Sequence, residues 1–417
     1  GLEPPVFRCE VELTPTSVAN PRSVWQQLAA GLEGLLGTGG IRVDLELVRR
    51  KPALAREGRG TASLREREVV NFFFNGNGSP SPSVGLAVDL GTTKVAGFLV
   101  NLETGETLAA KGIMNPQIAY GEDVMARLAY ALESEEHYAQ LHRAVVEGLN
   151  RLARELAAAA GLSPENIEEA VVVGNTAMHH LLFRLPVSQL ARAPYVPALA
   201  APLEVKAREV GLRLAPGAYV YSPPVIGGFV GADHVAMILG SRIDEANGAI
   251  LGLDVGTNTE VVLKYGGKMI SCSCASGPAF EGAHISSGMR AVEGAIQAVR
   301  LKNGGREVEV ETVGGGKPLG ICGSGILDAV AELYRAGVID SHGHLDRTHP
   351  RVRTGNGGPP EFVLVTADES GTGRDITVTQ KDISEVQLAK AAISAGTKLL
   401  LQAAGLRLED VQEVVVA

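Results

Sequence analysis

The pattern Asp-x-Gly-Thr occurs twice in the chain, at 89–92 and at 254–257, and each copy lies between two apolar runs. An apolar run, a Gly-Thr turn and a second apolar run predict a β-hairpin. Glycine allows a ligand to approach the backbone closely, and the N–H groups and threonine hydroxyls of such a turn point at an anion. Two hairpins of this kind that face each other would hold a polyphosphate from both sides.

Both turns supply candidate ligands for a divalent cation and for phosphate. Asp89 and Asp254 each end the first strand of a hairpin, and we predict that both position Mg²⁺ for catalysis, directly or through water. The alternative is that each carboxylate caps its own turn. Lys94 either pairs with a phosphate or is solvated on the second strand. The predicted phosphate contacts are Gly91, Thr92, Thr93, Lys94, Gly256, Thr257, Asn258 and, deeper on its strand, Thr259.

Composition limits the class of protein. A chain of 417 residues is expected to form two or three domains. The formal net charge of −9 argues against a nucleic-acid surface, which needs a basic patch. No apolar run is long enough for a membrane span, and no signal peptide opens the sequence. Four cysteines form no disulfide framework for this length, so we expect a cytoplasmic protein without a membrane partner.

Periodicity predicts a small N-terminal α/β domain over residues 1–70. Its elements would be strands at 6–13 and 41–48 and a helix at 20–36. Residues 71–83 are rich in Gly, Pro and Ser and predict a linker. Within that linker, Phe72 to Phe74 either form a docking patch or end a strand that packs on the first domain.

The remaining sequence repeats one architecture, βββαβα, over 84–247 and again over 248–417. Each half opens with one of the two phosphate turns, so we predict an internal duplication. In the second half the pattern predicts a helix near 288–300, an Ala-rich helix at about 382–404 and a final strand at 410–416.

Duplicated Asp-x-Gly-Thr hairpins in this strand order resemble the actin, sugar-kinase and Hsp70 ATPase superfamily, whose lobes have a ribonuclease-H-like fold. Further segments narrow the resemblance to the reductive activators of corrinoid enzymes, which include the activator of the corrinoid iron–sulfur protein of the acetyl-CoA pathway. The resemblance covers essentially all of 84–417, and 1–70 is more weakly similar to that family's middle domain. The segments are 87–96, Asn-Pro-Gln at 115–117, 120–124, Gly-Asn-Thr at 174–176, Ser-Gly-Pro-Ala-Phe-Glu-Gly at 276–282, and 320–325.

The resemblance implies two actin-like ATPase lobes behind a small N-terminal α/β domain. It implies ATP and Mg²⁺ as cofactors and an ATP-dependent return of cob(II)amide to cob(I)amide on a partner. The partner would be a corrinoid iron–sulfur protein or a corrinoid methyltransferase subunit, and a homodimer is compatible with the family. The family's N-terminal [2Fe–2S] domain has a C-x₄-C-x₂-C spacing that this chain lacks, so we expect the electron donor elsewhere. The family also continues past the last strand, so we expect the second lobe to be truncated at Ala417.

Further candidate site residues each have a structural alternative, and the role of the first, Asp233, is implied by the resemblance to the superfamily. Asp233, at the start of a predicted helix, would orient the attacking water, or would only complement the helix dipole. Gly323, Ser324 and Gly325, at another helix start, would bind an anion or allow close packing. Cys272 and Cys274 share one face of a strand, either as a redox pair or as two buried thiols. A His-rich segment at 342–349 is expected to be a solvated loop.

Two other functions fit the same superfamily. A small-molecule kinase would need a substrate pocket with its own catalytic base. An actin-like structural ATPase would need a polymer interface, and the sequence has no recognisable one.

Overall fold

The computed structural model describes residues 3–13, 18–19, 21–50, 58–74, 82–282, 284–354 and 358–417. The chain divides into two compact units, Gly1–Ala236 and Met237–Ala417.

The first unit begins with a small sheet covered by a helix. The strands of this sheet lie in the order β1-β3-β4-β2, and their apolar side chains pack against Leu28 and Leu32 of α1. Helix α1 begins after Ser23, whose side chain forms a capping box with Gln26. The elements are β1 (Val6–Leu13), α1 (Val24–Leu36), β2 (Arg42–Val43), α2 (Leu45–Arg50), β3 (Gly58–Arg65) and β4 (Glu68–Phe74).

Two predictions for the beginning of the chain, the strand at 41–48 and the linker at 71–83, differ from the structure. The strand predicted at 41–48 is wrong beyond residue 43, because the buried Asp44 accepts a hydrogen bond from the Glu46 N–H and starts helix α2. Residues 71–74 of the predicted linker belong to β4, and Phe72 is fully buried. For Phe72 the strand alternative is therefore correct, while residues 75–81 of the predicted linker lie outside the described residues.

The rest of the first unit is built on a larger mixed sheet in the order β7-β6-β5-β8-β10-β9. Strand β5 is antiparallel to β6 and parallel to β8. The elements are β5 (Val84–Leu90), β6 (Lys94–Asn101), β7 (Thr107–Met114), α3 (Val124–Glu133), α4 (Glu135–Ala159), β8 (Ile167–Val173), α5 (Thr176–Phe183), β9 (Leu203–Lys206), α6 (Ala207–Val210), β10 (Tyr219–Ser222) and α7 (Ala232–Ser241), which continues past the division between the units.

A fully buried carboxylate joins the small sheet to the larger one. Glu168 of β8 accepts hydrogen bonds from the Arg8 guanidinium at 3.1 Å, from Ser63 Oγ at 2.5 Å and from Ser83 Oγ at 2.7 Å. A buried charge is tolerated only when it is paired and hydrogen-bonded in this way. The pairing therefore ties β1 and β3 of the small sheet to β8 of the first unit's larger sheet.

The second unit contains a sheet in the order β13-β12-β11-β20 and two smaller sheets, β15-β14-β16 and β17-β18-β19. Helix α9 packs on β12 and β13. The elements are β11 (Ile250–Asp254), β12 (Thr259–Tyr265), β13 (Lys268–Cys274), β14 (Ala295–Lys302), β15 (Glu307–Thr312), β16 (Gly320–Ile321), α8 (Gly323–Arg335), β17 (Val352–Thr354), β18 (Pro360–Val365), β19 (Ile376–Thr379), α9 (Gln380–Ala404) and β20 (Glu413–Val416).

The two units share one strand order. In each, three antiparallel strands are followed along the chain by a strand that pairs in parallel with the first, β8 with β5 and β20 with β11. In the second unit, β14 to β19 and α8 lie between the third strand and α9 along the chain. The predicted α/β fold is confirmed, and the shared order agrees with the predicted duplication.

The helix predicted near 288–300 is wrong, because residues 295–302 form strand β14. This strand pairs with β15, and its register shifts at a bulge between Ile296 and Ala298. The bulge interrupts the alternation of side chains along the strand. Apolar residues then recur at a spacing that is typical of a helix face, which misled the sequence analysis.

The two long helices, α4 and α9, have 25 residues each and pack against sheets of their own units. Helix α4 is amphipathic, with charged residues on its exposed side, whereas α9 buries Asp382 and exposes Leu388 and Leu399. In the described parts of the chain, no helix is both long and apolar enough to cross a membrane.

Replacing Gly396 of α9 by alanine is expected to destabilise the second unit. A Cβ at this position would lie 2.2 Å from the sulfur of Cys274 and 3.1 Å from that of Cys272. Overpacking of this kind costs about 1–3 kcal/mol, and we expect a lower midpoint in urea unfolding. The control is Gly34→Ala in α1, where a Cβ meets nothing within 4 Å and the change should stabilise by about 0.5–1 kcal/mol. Equal effects of the two substitutions would contradict the packing described for α9.

Candidate functional site

The first predicted phosphate turn connects β5 to β6. Gly91 opens it, and a Cβ there would lie 2.6 Å from the carbonyl oxygen of Lys94, so only glycine fits. Asp89 lies near the end of β5 with its side chain accessible to solvent, and Lys94 is exposed. The surrounding protein partly desolvates Asp89 and raises the pKa of its carboxyl group. A bound cation would favour the ionised form of this carboxylate.

Two buried side chains and one half-buried side chain hold this turn from the protein side. The side-chain amide of Asn115 donates to the Gly91 carbonyl at 2.8 Å, and the Arg127 guanidinium donates to the Thr92 carbonyl at 2.6 Å. Asn175, at the start of α5, donates to the Thr92 hydroxyl oxygen at 2.9 Å. Because the Thr92 hydroxyl is already an acceptor, its own proton is left to donate to a further group.

Arg127 is fully buried, and its guanidinium also donates to the Gly121 carbonyl at 2.9 Å. Desolvation lowers its pKa to about 10, so it is charged at neutral pH. Arg127 was not predicted as a site residue from the sequence. The signal was present, since Arg127 belongs to the buried stripe of α3 together with Val124, Leu128 and Ala131, where an arginine is unusual.

The second predicted phosphate turn connects β11 to β12 and is also held from the protein side. The Gly277 N–H donates to the Thr257 carbonyl at 2.9 Å, and Ser276 Oγ donates to the Gly256 carbonyl at 3.1 Å. Thr259 is fully buried with its hydroxyl 2.8 Å from Ser276 Oγ, so it supports the turn from inside rather than facing solvent. Gly256, Thr257 and Asn258 remain partly accessible, as does Asp254 at the end of β11.

Asp233 lies in the first turn of α7 and is half-buried. Its carboxylate accepts a hydrogen bond from the His234 N–H at 2.8 Å. Gly231 allows this helix start to approach β8's end closely, since a Cβ there would lie 2.3 Å from the Gly174 carbonyl oxygen. The structure therefore brings Asp233 next to the segment that carries Asn175, which supports the first turn.

At the start of α8, close packing explains both glycines. A Cβ on Gly323 would lie 1.7 Å from the Phe280 carbonyl oxygen, and one on Gly325 would lie 2.0 Å from that of Ile296. Ser324, between them, is exposed. Of the two alternatives for this segment, close helix packing is the one that the geometry supports for the glycines.

The described residues contain no group of three or more His, Cys, Asp or Glu side chains that could hold a metal ion. In the segment 342–349, His342 and His344 are exposed. Cys272 and Cys274 are free thiols on one strand face. Burial raises the pKa of Cys272 to about 12. A thiol with a raised pKa is a poor nucleophile, which favours two structural thiols, Cys274 buried and Cys272 half-buried, over a redox pair.

Two family models match the chain, one to each repeated half. The RACo middle region matches residues 84–246, whereas the sequence analysis applied that name to 1–70. The C-terminal domain of RACo, the ASKHA domain, matches residues 248–417. The phosphate turns therefore lie one in each family region.

Two curated relatives have names that refer to corrinoid activation. The corrinoid activation enzyme RamQ of Eubacterium limosum is 36% identical over 353 residues, which are 83% of this chain and 59% of that protein. The [Co(II) methylated amine-specific corrinoid protein] reductase of Methanosarcina barkeri is 28% identical over 366 residues, 79% of this chain and 61% of that protein. The chain thus spans about three-fifths of the length of the curated relatives it matches.

A solved structure, the reductive activator for a corrinoid, iron–sulfur protein, matches all of this chain and 67% of its own length. The sequence identity is 35% and the TM-score is 0.88. With both family models matched in order, the chain belongs to the RACo family of reductive activators of corrinoid proteins.

Proposed function

We propose that this chain is the nucleotide-driven part of an activator that uses ATP to return cob(II)amide to cob(I)amide on a corrinoid partner protein. One observation carries the proposal. Each Asp-x-Gly-Thr turn follows the first strand of a sheet, the two sheets share one strand order, and in both turns protein donors form hydrogen bonds to the carbonyl oxygens. The printed names of the relatives support the same activity.

The residues of both turns fit Mg-ATP. Asp89 and Asp254 offer carboxylate oxygens, the ligand type that Mg²⁺ prefers. The Thr92 hydroxyl has a proton to donate, because its oxygen already accepts from Asn175. When bound, Mg²⁺ neutralises charge on the phosphates and orients them.

The chain's own groups would bind and orient the nucleotide. We assign phosphate contacts to the backbone N–H groups of 91–93 and 256–258, to the hydroxyls of Thr92 and Thr93, and to Lys94. Asp233 is assigned to orient the attacking water, because its half-buried carboxylate lies beside the segment that supports the first turn. The backbone N–H groups and hydroxyls of the turns are in place before the nucleotide binds, so they need no rearrangement during the reaction.

The cysteines do not fit an iron–sulfur cluster, which needs four thiolates at one place. Cys9 lies on β1 of the first unit. In the second unit, the thiol of the buried Cys322 donates a hydrogen bond to the Ile296 carbonyl oxygen. We therefore assign the electron to a donor other than these cysteines. The corrinoid supplies the redox chemistry, and this chain supplies geometry and free energy.

The coupling to a partner must be thermodynamic. A ligand shifts a conformational equilibrium only by its differential affinity for the two states. ATP is therefore proposed to bind the partner-engaged form more tightly than the free form. We infer a corrinoid iron–sulfur protein or a corrinoid methyltransferase subunit as the partner, and a homodimer stays a prediction.

Asp254→Asn in the full-length protein is expected to lower the rate of ATP hydrolysis by about 10²–10³-fold, because it removes one preorganised charge from the second turn. Thermal unfolding should stay near that of the parent, since the amide is nearly isosteric. The control is Asp368→Asn, an exposed carboxylate in the same unit. Hydrolysis at the parent rate by Asp254→Asn would show that the second turn does not serve ATP.

Calorimetric titration against the corrinoid iron–sulfur protein should detect a complex that depends on the cobalt oxidation state. We expect at least about tenfold tighter binding to the Co(II) form than to the Co(I) form, a difference of about 1.4 kcal/mol. The reason is that an activator gains nothing by holding an active cofactor. Equal affinity for both forms, or no binding by the full-length protein, would contradict the proposal and favour a small-molecule kinase.

A further inference from the structure

The carboxylate of Glu281 lies beside the second turn and has no role in the proposed function so far. Glu281 accepts a hydrogen bond from the Thr257 hydroxyl. Its side chain is half-buried, and no ion pair between described residues includes it. A negative charge therefore lies directly against a turn that is proposed to bind phosphate.

The backbone around Glu281 is fixed by close contacts. Glu281 ends a short 3₁₀ helix, Pro278–Glu281, and Gly282 follows with φ of 76°. A Cβ on Gly282 would lie 2.5 Å from the Met289 carbonyl oxygen, and Gly323 of α8 packs against the Phe280 carbonyl. The Glu281 carboxylate is thus held at Thr257 by a rigid platform rather than by a free loop.

Placing this carboxylate beside bound phosphates would be unfavourable without a cation. Like charges a few ångströms apart repel each other in water, and they repel more strongly in partly buried surroundings. A divalent cation reverses the sign, because both the carboxylate and the phosphates then interact with it. The contact of Glu281 with Thr257 thus fits a turn that receives phosphate together with Mg²⁺.

We propose that Glu281 is a positioning residue for nucleotide-bound Mg²⁺ at the second turn, a third carboxylate beyond Asp89 and Asp254. This inference rests on the proposed function. Glu281 acts through the Thr257 hydroxyl and through the water around the ion, and it makes nucleotide binding by this turn dependent on Mg²⁺.

The test is nucleotide affinity with and without Mg²⁺ in the full-length protein. Glu281→Gln keeps an oxygen that accepts from Thr257 but loses the charge. Calorimetry with a non-hydrolysable ATP analogue in excess Mg²⁺ should show affinity lowered by about 10- to 100-fold, as is typical for loss of an outer-shell partner. In EDTA, the variant should bind the analogue more tightly than the parent, because the repulsion has been removed.

A purely structural contact predicts a different pattern, in which Glu281→Gln changes affinity equally in both conditions or in neither. Either result would overturn the role of Glu281. Glu369→Gln is the matched control, because Glu369 also accepts from a threonine hydroxyl, that of Thr366 at 2.9 Å, and is exposed in the same unit. It should leave both affinities unchanged.

The experiment also separates this inference from the proposed function. If the parent binds the analogue in neither condition, the proposed function fails and the role of Glu281 fails with it. If the parent binds but Glu281→Gln behaves like the parent in both conditions, only the role of Glu281 fails.

Discussion

The hydrogen bond from the buried Arg127 guanidinium to the Thr92 carbonyl oxygen, 2.6 Å long, places a full charge behind the first phosphate turn. Burying a charge is costly, and a buried arginine rarely improves stability over an apolar residue. Its position is explained by the proposed function of the turn, which requires carbonyl oxygens to be drawn away from an incoming anion. With Asn115 on the Gly91 carbonyl and Asn175 on the Thr92 hydroxyl, the turn is organised before any ligand binds.

In the second unit, uncharged groups form the hydrogen bonds to the carbonyl oxygens of the turn. Ser276 and the Gly277 N–H hold the carbonyl oxygens of the turn, and they belong to the segment that carries Glu281. The two units therefore share a strand order but support their turns with different chemistry. The first support leads directly into helix α5, and the second leads into the 3₁₀ helix Pro278–Glu281, against which the start of α8 packs.

The correct sequence predictions rest on local patterns. The residues that were missed as site residues depend on contacts between parts of the chain that are distant in sequence. The two hairpins and the helices α1 and α9 follow from local periodicity and turn residues. Strand β14 was missed because a bulge makes its apolar spacing look helical. Arg127 and Glu281 were missed as site residues because their roles depend on contacts to Thr92 and Thr257, which lie 35 and 24 residues away along the chain.

The central claim is that both turns bind phosphate oxygens of ATP. Hydrogen exchange of the full-length protein, followed by mass spectrometry during a titration with Mg-ATP, measures the two turns separately, over residues 85–100 and 251–263. The account predicts that both segments become protected and that they do so with one shared midpoint in ATP concentration. Protection of one segment without the other at saturating Mg-ATP would contradict it.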